Sequence, residues 1–152
     1  MNIEIIAVGR LKKGPELDLI ETYLKRCPWP VNIIEVEEKR PIKGADRMSR
    51  EADLILAAIP TGAHVIALDE RGTEMRSKTF AKKISNLQDQ GLSVLVFLIG
   101  GADGYDPKIK ERANMLISFG HMTWPHMMVR AMLCEQLYRA SAILQGHPYH
   151  KD

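Results

Sequence analysis

Residues Ser93–Gly104 read SVLVFLIGGADG. The first seven form a nearly continuous apolar run. A strand with alternating polar positions shows one face to water, whereas an unbroken run such as this suits a strand covered on both faces. The glycines that follow let the backbone approach a ligand closely and leave N–H groups free to bind it. No Gly-Lys-Ser/Thr comes next, so this is not a Walker A loop, and the spacing is not that of a GxGxxG fingerprint. A tight turn has the same composition, and the loop alone does not separate the two readings.

Working outward toward the N-terminus, apolar runs of strand character alternate with amphipathic helices. Asn2–Val8, Val31–Val36 and Ala63–Asp69 read as strands. Pro15–Arg26 carries Leu17, Ile20 and Leu24 at helical spacing, and Pro28 and Pro30 end it. Ala45–Ile59 is a second helix, stopped by Pro60 and Gly62. A third runs from Ser77, a candidate N-cap, to about Gln90. This alternation predicts an α/β domain, a mainly parallel sheet flanked by helices, over residues 1–152 as a single unit. Ligands of such sheets bind beyond the carboxyl ends of the strands. Two strands are expected to end in ALDERG and LIGGADG, which makes those loops the first place to look.

Toward the C-terminus, Pro107–Leu116 reads as a helix and Ile117–Trp124 as a short mixed stretch. A long helix follows from about His126 to Gln145. Its apolar stripe is Val129, Met132, Leu133, Leu137, Ala140 and Leu144, which places Arg130, Glu135, Gln136 and Arg139 off the stripe. Gly146 is the candidate residue just past the end, and Pro148 cannot continue the helix.

Composition narrows the class. No apolar run approaches the roughly 20 residues of a membrane span, and the alternating N-terminus reads as no signal peptide. Cys27 and Cys134 are far apart and outside any CxxC pattern, which suits a reducing, cytoplasmic setting. A net charge of +2 permits a nucleic-acid partner without arguing for one. The basic residues Lys39, Arg40, Lys43, Arg47 and Arg50 are interspersed with Glu37, Glu38, Asp46 and Glu51, as on an ordinary solvated surface. The tail His147–Lys151, HPYHK, gathers two imidazoles, an aromatic ring and a cation, a set suited to an unstacked RNA base and its phosphates. His147 and His150 lack further ligands in sequence, so no metal site is expected.

Together, Ala7-Val8-Gly9, LDERG at Leu68–Gly72, LIGGADG at Leu98–Gly104, PHMMVRAMLCEQLYRA at Pro125–Ala140 and the terminal HPYHK resemble the ribosomal RNA large subunit methyltransferase H family of the SPOUT superfamily. The resemblance spans essentially the whole chain, and the C-terminal block is its specific part. It implies a SPOUT-like fold with a C-terminal trefoil knot. It also implies a homodimer that uses S-adenosyl-L-methionine to methylate N3 of a pseudouridine in 23S ribosomal RNA on assembled ribosomes. By the same resemblance three segments would hold the cofactor. They are Leu68 with Glu70, then Gly100, Gly101 and Gly104, then Gly120, His121, Met122, Thr123, Trp124 and Pro125. Trp124 stands where the family often has leucine. His126, Arg130, Glu135, Arg139, Tyr149 and His150 match polar positions of the motif. For the reaction, His150 is the first candidate base and Glu135 the second. Arg130 or Arg139 would stabilise charge on the uracil oxygen, and Tyr149 would stack on the base.

Overall fold

The computed structural model describes residues 1–150, so Lys151 of the tail motif lies outside it. Ten elements follow in order: β1 (Asn2–Val8), α1 (Pro15–Arg26), β2 (Val31–Val36), α2 (Gly44–Ala58), β3 (His64–Glu74), α3 (Ser77–Asp89), β4 (Val94–Ile99), α4 (Pro107–Arg112), β5 (Met115–Ser118) and α5 (His126–Gln145). The five strands form one sheet in the order β2-β1-β4-β3-β5, and every pairing is parallel.

Alternate residues of the central strands feed two cores. Ile3, Ile5, Ile66, Leu95, Phe97 and Ile99 pack on one face with Ile20 of α1, Phe80 and Ile84 of α3, and Leu133 and Leu137 of α5. Ile6, Val8, Val65, Val96 and Leu98 pack on the other with Ala52 and Ile55 of α2 and Ile109 of α4. Steps along the sheet in one direction, β1 to β2 and β3 to β4, use the first face, while the opposite steps use the second. A single crossover handedness requires that arrangement. It also brings the carboxyl ends of all five strands to one edge of the sheet.

Four expectations need correction. Strand β3 does not end at Asp69 but runs on to Glu74, with a register shift against β5 between Leu68 and Thr73. Gly72 explains the extension: a Cβ there would lie 2.7 Å from backbone atoms of Leu116 and Ile117, so only glycine lets the two strands close. The helix from Pro107 stops at Arg112, not Leu116. Asn114 then pairs with Val65, its N–H to the Val65 carbonyl and its side-chain oxygen to the Val65 N–H, both at 2.8 Å, and launches β5. Ser77 is not a cap; it is the first residue of α3, and its hydroxyl donates to Gln136 Oε1 at 2.8 Å. Finally, α5 buries more than one stripe because it packs against both α1 and α3. Arg130, Ala131, Cys134 and Ser141 are buried, while Leu144 is exposed. The helix ends as expected at Gly146, in the left-handed region at φ 68°, with the His147 N–H returning to the Ala142 carbonyl.

Candidate active site

The carboxyl ends of β3, β4 and β5 enclose an open pocket of about 250 Å³. It draws together segments far apart in the chain. Of the residues expected to hold a cofactor, Leu68, Glu70, Gly100, Gly101, Gly104, Gly120, Met122, Thr123 and Trp124 line it. His121 and Pro125 do not. His121 points instead to Glu74, at 3.2 Å, and is largely exposed. Asp69, Ile99 and Val129, which lie within the quoted motifs without being assigned to the cofactor, also line the pocket, as do Tyr105, Ile117 and Phe119, which lie outside them.

Hydrogen bonds fix its walls. The Thr123 hydroxyl donates to the Glu70 carboxylate at 3.1 Å, joining β3 to the loop after β5. Ser118 Oγ accepts the Gly120 N–H at 3.0 Å and lies 3.2 Å from the Glu70 carbonyl. The indole N–H of Trp124 reaches the Phe119 carbonyl at 3.4 Å. Tyr105 supports the glycine loop: its hydroxyl donates to the Leu98 carbonyl at 2.7 Å, and a Cβ on Gly100 would stand 3.0 Å from its ring. Burial pushes the Tyr105 phenol far above its usual range, so it keeps the proton that it donates to Leu98.

Arg130 does not occupy a solvent face. It is 1% exposed, and its guanidinium donates to Glu35 at 2.6 Å and to the Gly9 carbonyl at 3.1 Å. Burial raises the Glu35 carboxyl. The Leu11 N–H and the Arg130 guanidinium outweigh that, leaving it below the usual carboxylate range. Within this chain Arg130 is thus an anchor between α5 and the ends of β1 and β2, and it does not line the pocket.

Of the remaining candidates, Glu135 and Arg139 of α5 cluster with Tyr149 of the tail. Glu135 accepts from Arg139 Nε at 2.8 Å, the Tyr149 hydroxyl at 3.0 Å and Gln136 Nε2 at 3.1 Å. The Arg139 guanidinium also lies over the Tyr149 ring, 4.9 Å from its centre, and Tyr138 packs on the same ring. Burial, then hydrogen bonds with Tyr23 and Glu135, hold the Tyr149 hydroxyl well above its usual range. None of Glu135, Arg139, Tyr149 and His150 lines the pocket of their own chain.

A family model described as "Predicted SPOUT methyltransferase" matches residues 1–150. A ribosomal RNA large subunit methyltransferase H of Paramagnetospirillum magneticum is 52% identical over 151 residues, 99% of each chain. The chain belongs to this family of SPOUT methyltransferases. The protein of the same description from Rhodospirillum rubrum is 45% identical over 152 residues, all of both chains. Among solved structures, a probable methyltransferase from Bordetella pertussis aligns with a TM-score of 0.57 at 12% identity, covering 91% of this chain and 95% of that one. That likeness concerns the fold. A methyltransferase needs a methyl donor, and in this SPOUT chain the pocket at the strand ends is the candidate place for it. Among the described residues no helix is long and apolar enough to cross a membrane, and no cluster of side chains could hold a metal ion.

Proposed function

We propose that this chain is a single-domain, cytoplasmic enzyme that methylates N3 of a pseudouridine in 23S ribosomal RNA within the assembled ribosome, using S-adenosyl-L-methionine. The observation that carries this reading is the convergence of the ends of β3, β4 and β5 and the loops that follow them on one pocket, in a chain 52% identical to a ribosomal RNA large subunit methyltransferase H. The C-terminal trefoil knot implied by the family belongs to the same reading.

The pocket suits this cofactor chemically. Leu68, Ile99, Ile117 and Val129 offer apolar surface to an adenine, and the backbone of residues 100–104 and 120–124 offers polar groups to its edges and ribose. Asp69 and Glu70 place carboxylates where a sulfonium and an ammonium would be welcome. When bound, the cofactor supplies a methyl group already activated by its sulfonium, so the protein's task is chiefly positioning. The acceptor is an imide nitrogen that must lose its proton, and His150 is the proposed base. Arg139 is the candidate for charge on the uracil oxygen, and Tyr149 for stacking on the ring. Arg130 drops out of that role because Glu35 and Gly9 occupy it.

A homodimer supplies what one chain lacks. Among the described residues the tail does not line the pocket of its own chain, and Met122 and Trp124, which do, are exposed to solvent. A second copy covering them would bring its own tail to the site. The deciding experiment is transfer of labelled methyl to 50S and 70S particles, followed by mapping of the modified nucleotide. Label confined to N3 of one pseudouridine supports the reading; label on tRNA, or none on either particle, rejects it.

A further inference from the structure

A second cavity of about 460 Å³ adjoins the cofactor pocket and shares Gly101, Ala102 and His126 with it. It lies among the carboxyl end of β1, the first turn of α2 and the start of α5, lined there by Val8, Gly9, Lys43, Arg47 and Glu51. Glu51 is only 4% exposed. One of its carboxylate oxygens accepts from Arg47 Nε at 3.2 Å, while Oε1 has no hydrogen-bond partner among the described residues. His126, on the shared wall, likewise leaves a buried Nδ1 without a partner. Unmatched buried polar atoms are costly, and two beside one cavity call for a polar occupant. Gly101 makes the approach possible, since a Cβ there would stand 3.2 Å from Glu51 Oε1 and 2.9 Å from Val8. The N-terminus of α2 opens on the same space, with Lys43 as an extended cap residue that makes no side-chain capping bond.

We infer that this cavity receives the target base and that Glu51 Oε1 accepts the N1–H of pseudouridine; the inference rests on the function proposed above. Pseudouridine is joined to its ribose through carbon, so both ring nitrogens carry protons. N3 must stay free for methylation, which leaves N1–H as the ring's other donor. Uridine has no such proton, because its N1 bonds the ribose. A carboxylate with one oxygen fixed by Arg47 and the other free reads that difference: against uridine, Oε1 stays buried and unmatched. Lys43 and the amides of the first turn of α2 suit the flanking phosphate.

The test is single-turnover methylation of ribosomal particles carrying either pseudouridine or uridine at the mapped nucleotide. Wild type, Glu51→Gln and Glu51→Asp are compared, with thermal melting and cofactor calorimetry on each. In Glu51→Gln, Arg47 keeps the amide oxygen and turns the amide nitrogen, a donor, toward the base. The ratio of pseudouridine to uridine rates should then fall about tenfold or more. Glu51→Asp retains an acceptor, one methylene back, and should keep part of the ratio; it decides the matter if the Gln variant does not fold. Equal losses on both particles, an unchanged ratio in the variants, or a wild type that does not distinguish them would overturn the inference while the function stands. A wild type that methylates neither particle overturns the function itself.

Discussion

The Arg130 guanidinium donates to the Glu35 carboxylate at 2.6 Å, tying the first turns of α5 to the edge strand β2 across 95 residues of sequence. Together with the bond from Arg130 to the Gly9 carbonyl, this fixes where α5 begins. It also sets the position of Trp124 and His126 on the pocket at the strand ends and of His126 on the neighbouring cavity. A residue that looks like a solvent-facing catalytic arginine is thus part of the frame.

Replacing Glu35 by alanine should therefore destabilise the fold. A fully buried pair broken on one side costs roughly 3–5 kcal/mol; here about 2–3 kcal/mol is expected, because the Glu35 side chain keeps 36% of its surface in water. For a chain of this length that lowers the melting temperature by about 5–10 °C. The Glu35 carboxyl titrates below its ordinary 4.5 in the fold. Its contribution is therefore complete above that value and fades as pH falls through the folded one. The gap in stability between wild type and Glu35→Ala should stay constant from neutral pH down to about 5 and shrink under more acid conditions. A gap unchanged at pH 3 would contradict the pairing.

Gly72→Ala tests how β3 reaches β5. The added carbon would sit 2.7 Å from the backbone of Leu116 and Ile117, and strand backbone cannot step aside as a side-chain tip can. A loss of about 1–3 kcal/mol is expected. Because β5 leads directly into the Ser118–Thr123 wall of the pocket, cofactor affinity measured by calorimetry should fall with it. Full affinity in a folded Gly72→Ala variant would mean that the pairing does not shape the pocket.

These two residues also mark where sequence reading stops. Strands β1 and β2 and helices α1 and α5 have the bounds their periodicity suggests, because local pattern decides them. The extension of β3 and the four residues of β5 depend on a close approach at Gly72 and on Asn114 pairing with Val65, neither of which leaves a local signature. Arg130 misleads for a similar reason: its burial depends on Glu35, Val8 and Gly9, which periodicity along α5 cannot see. In the pocket, motifs point to the glycine loop and to residues 120–124. Tyr105 and Phe119 enter through packing alone.

Tyr149→Phe separates the tail from cofactor binding. The Tyr149 hydroxyl, held protonated, donates to Glu135 at 3.0 Å, and Tyr149 does not line its own chain's pocket. Removing the hydroxyl should leave cofactor affinity within about twofold while turnover falls about tenfold, equivalent to the roughly 1.4 kcal/mol of one good hydrogen bond. A tenfold loss of cofactor affinity with turnover intact would place the tyrosine in the cofactor site instead.

His150→Ala tests the proposed proton acceptor. Glu135, the alternative, already accepts from Arg139, Gln136 and Tyr149, and Arg139 Nη2 approaches it to 2.6 Å, so its oxygens are engaged within its own cluster. If His150 takes the N3 proton, His150→Ala should lower the single-turnover rate on ribosomal particles by about 10²-fold or more and change the shape of its pH profile. Glu135→Gln should instead loosen the cluster, lowering the rate while keeping the shape of the profile. An unchanged rate and profile in His150→Ala would remove His150 from this role. Loss of the pH dependence in Glu135→Gln alone would move the role to the carboxylate.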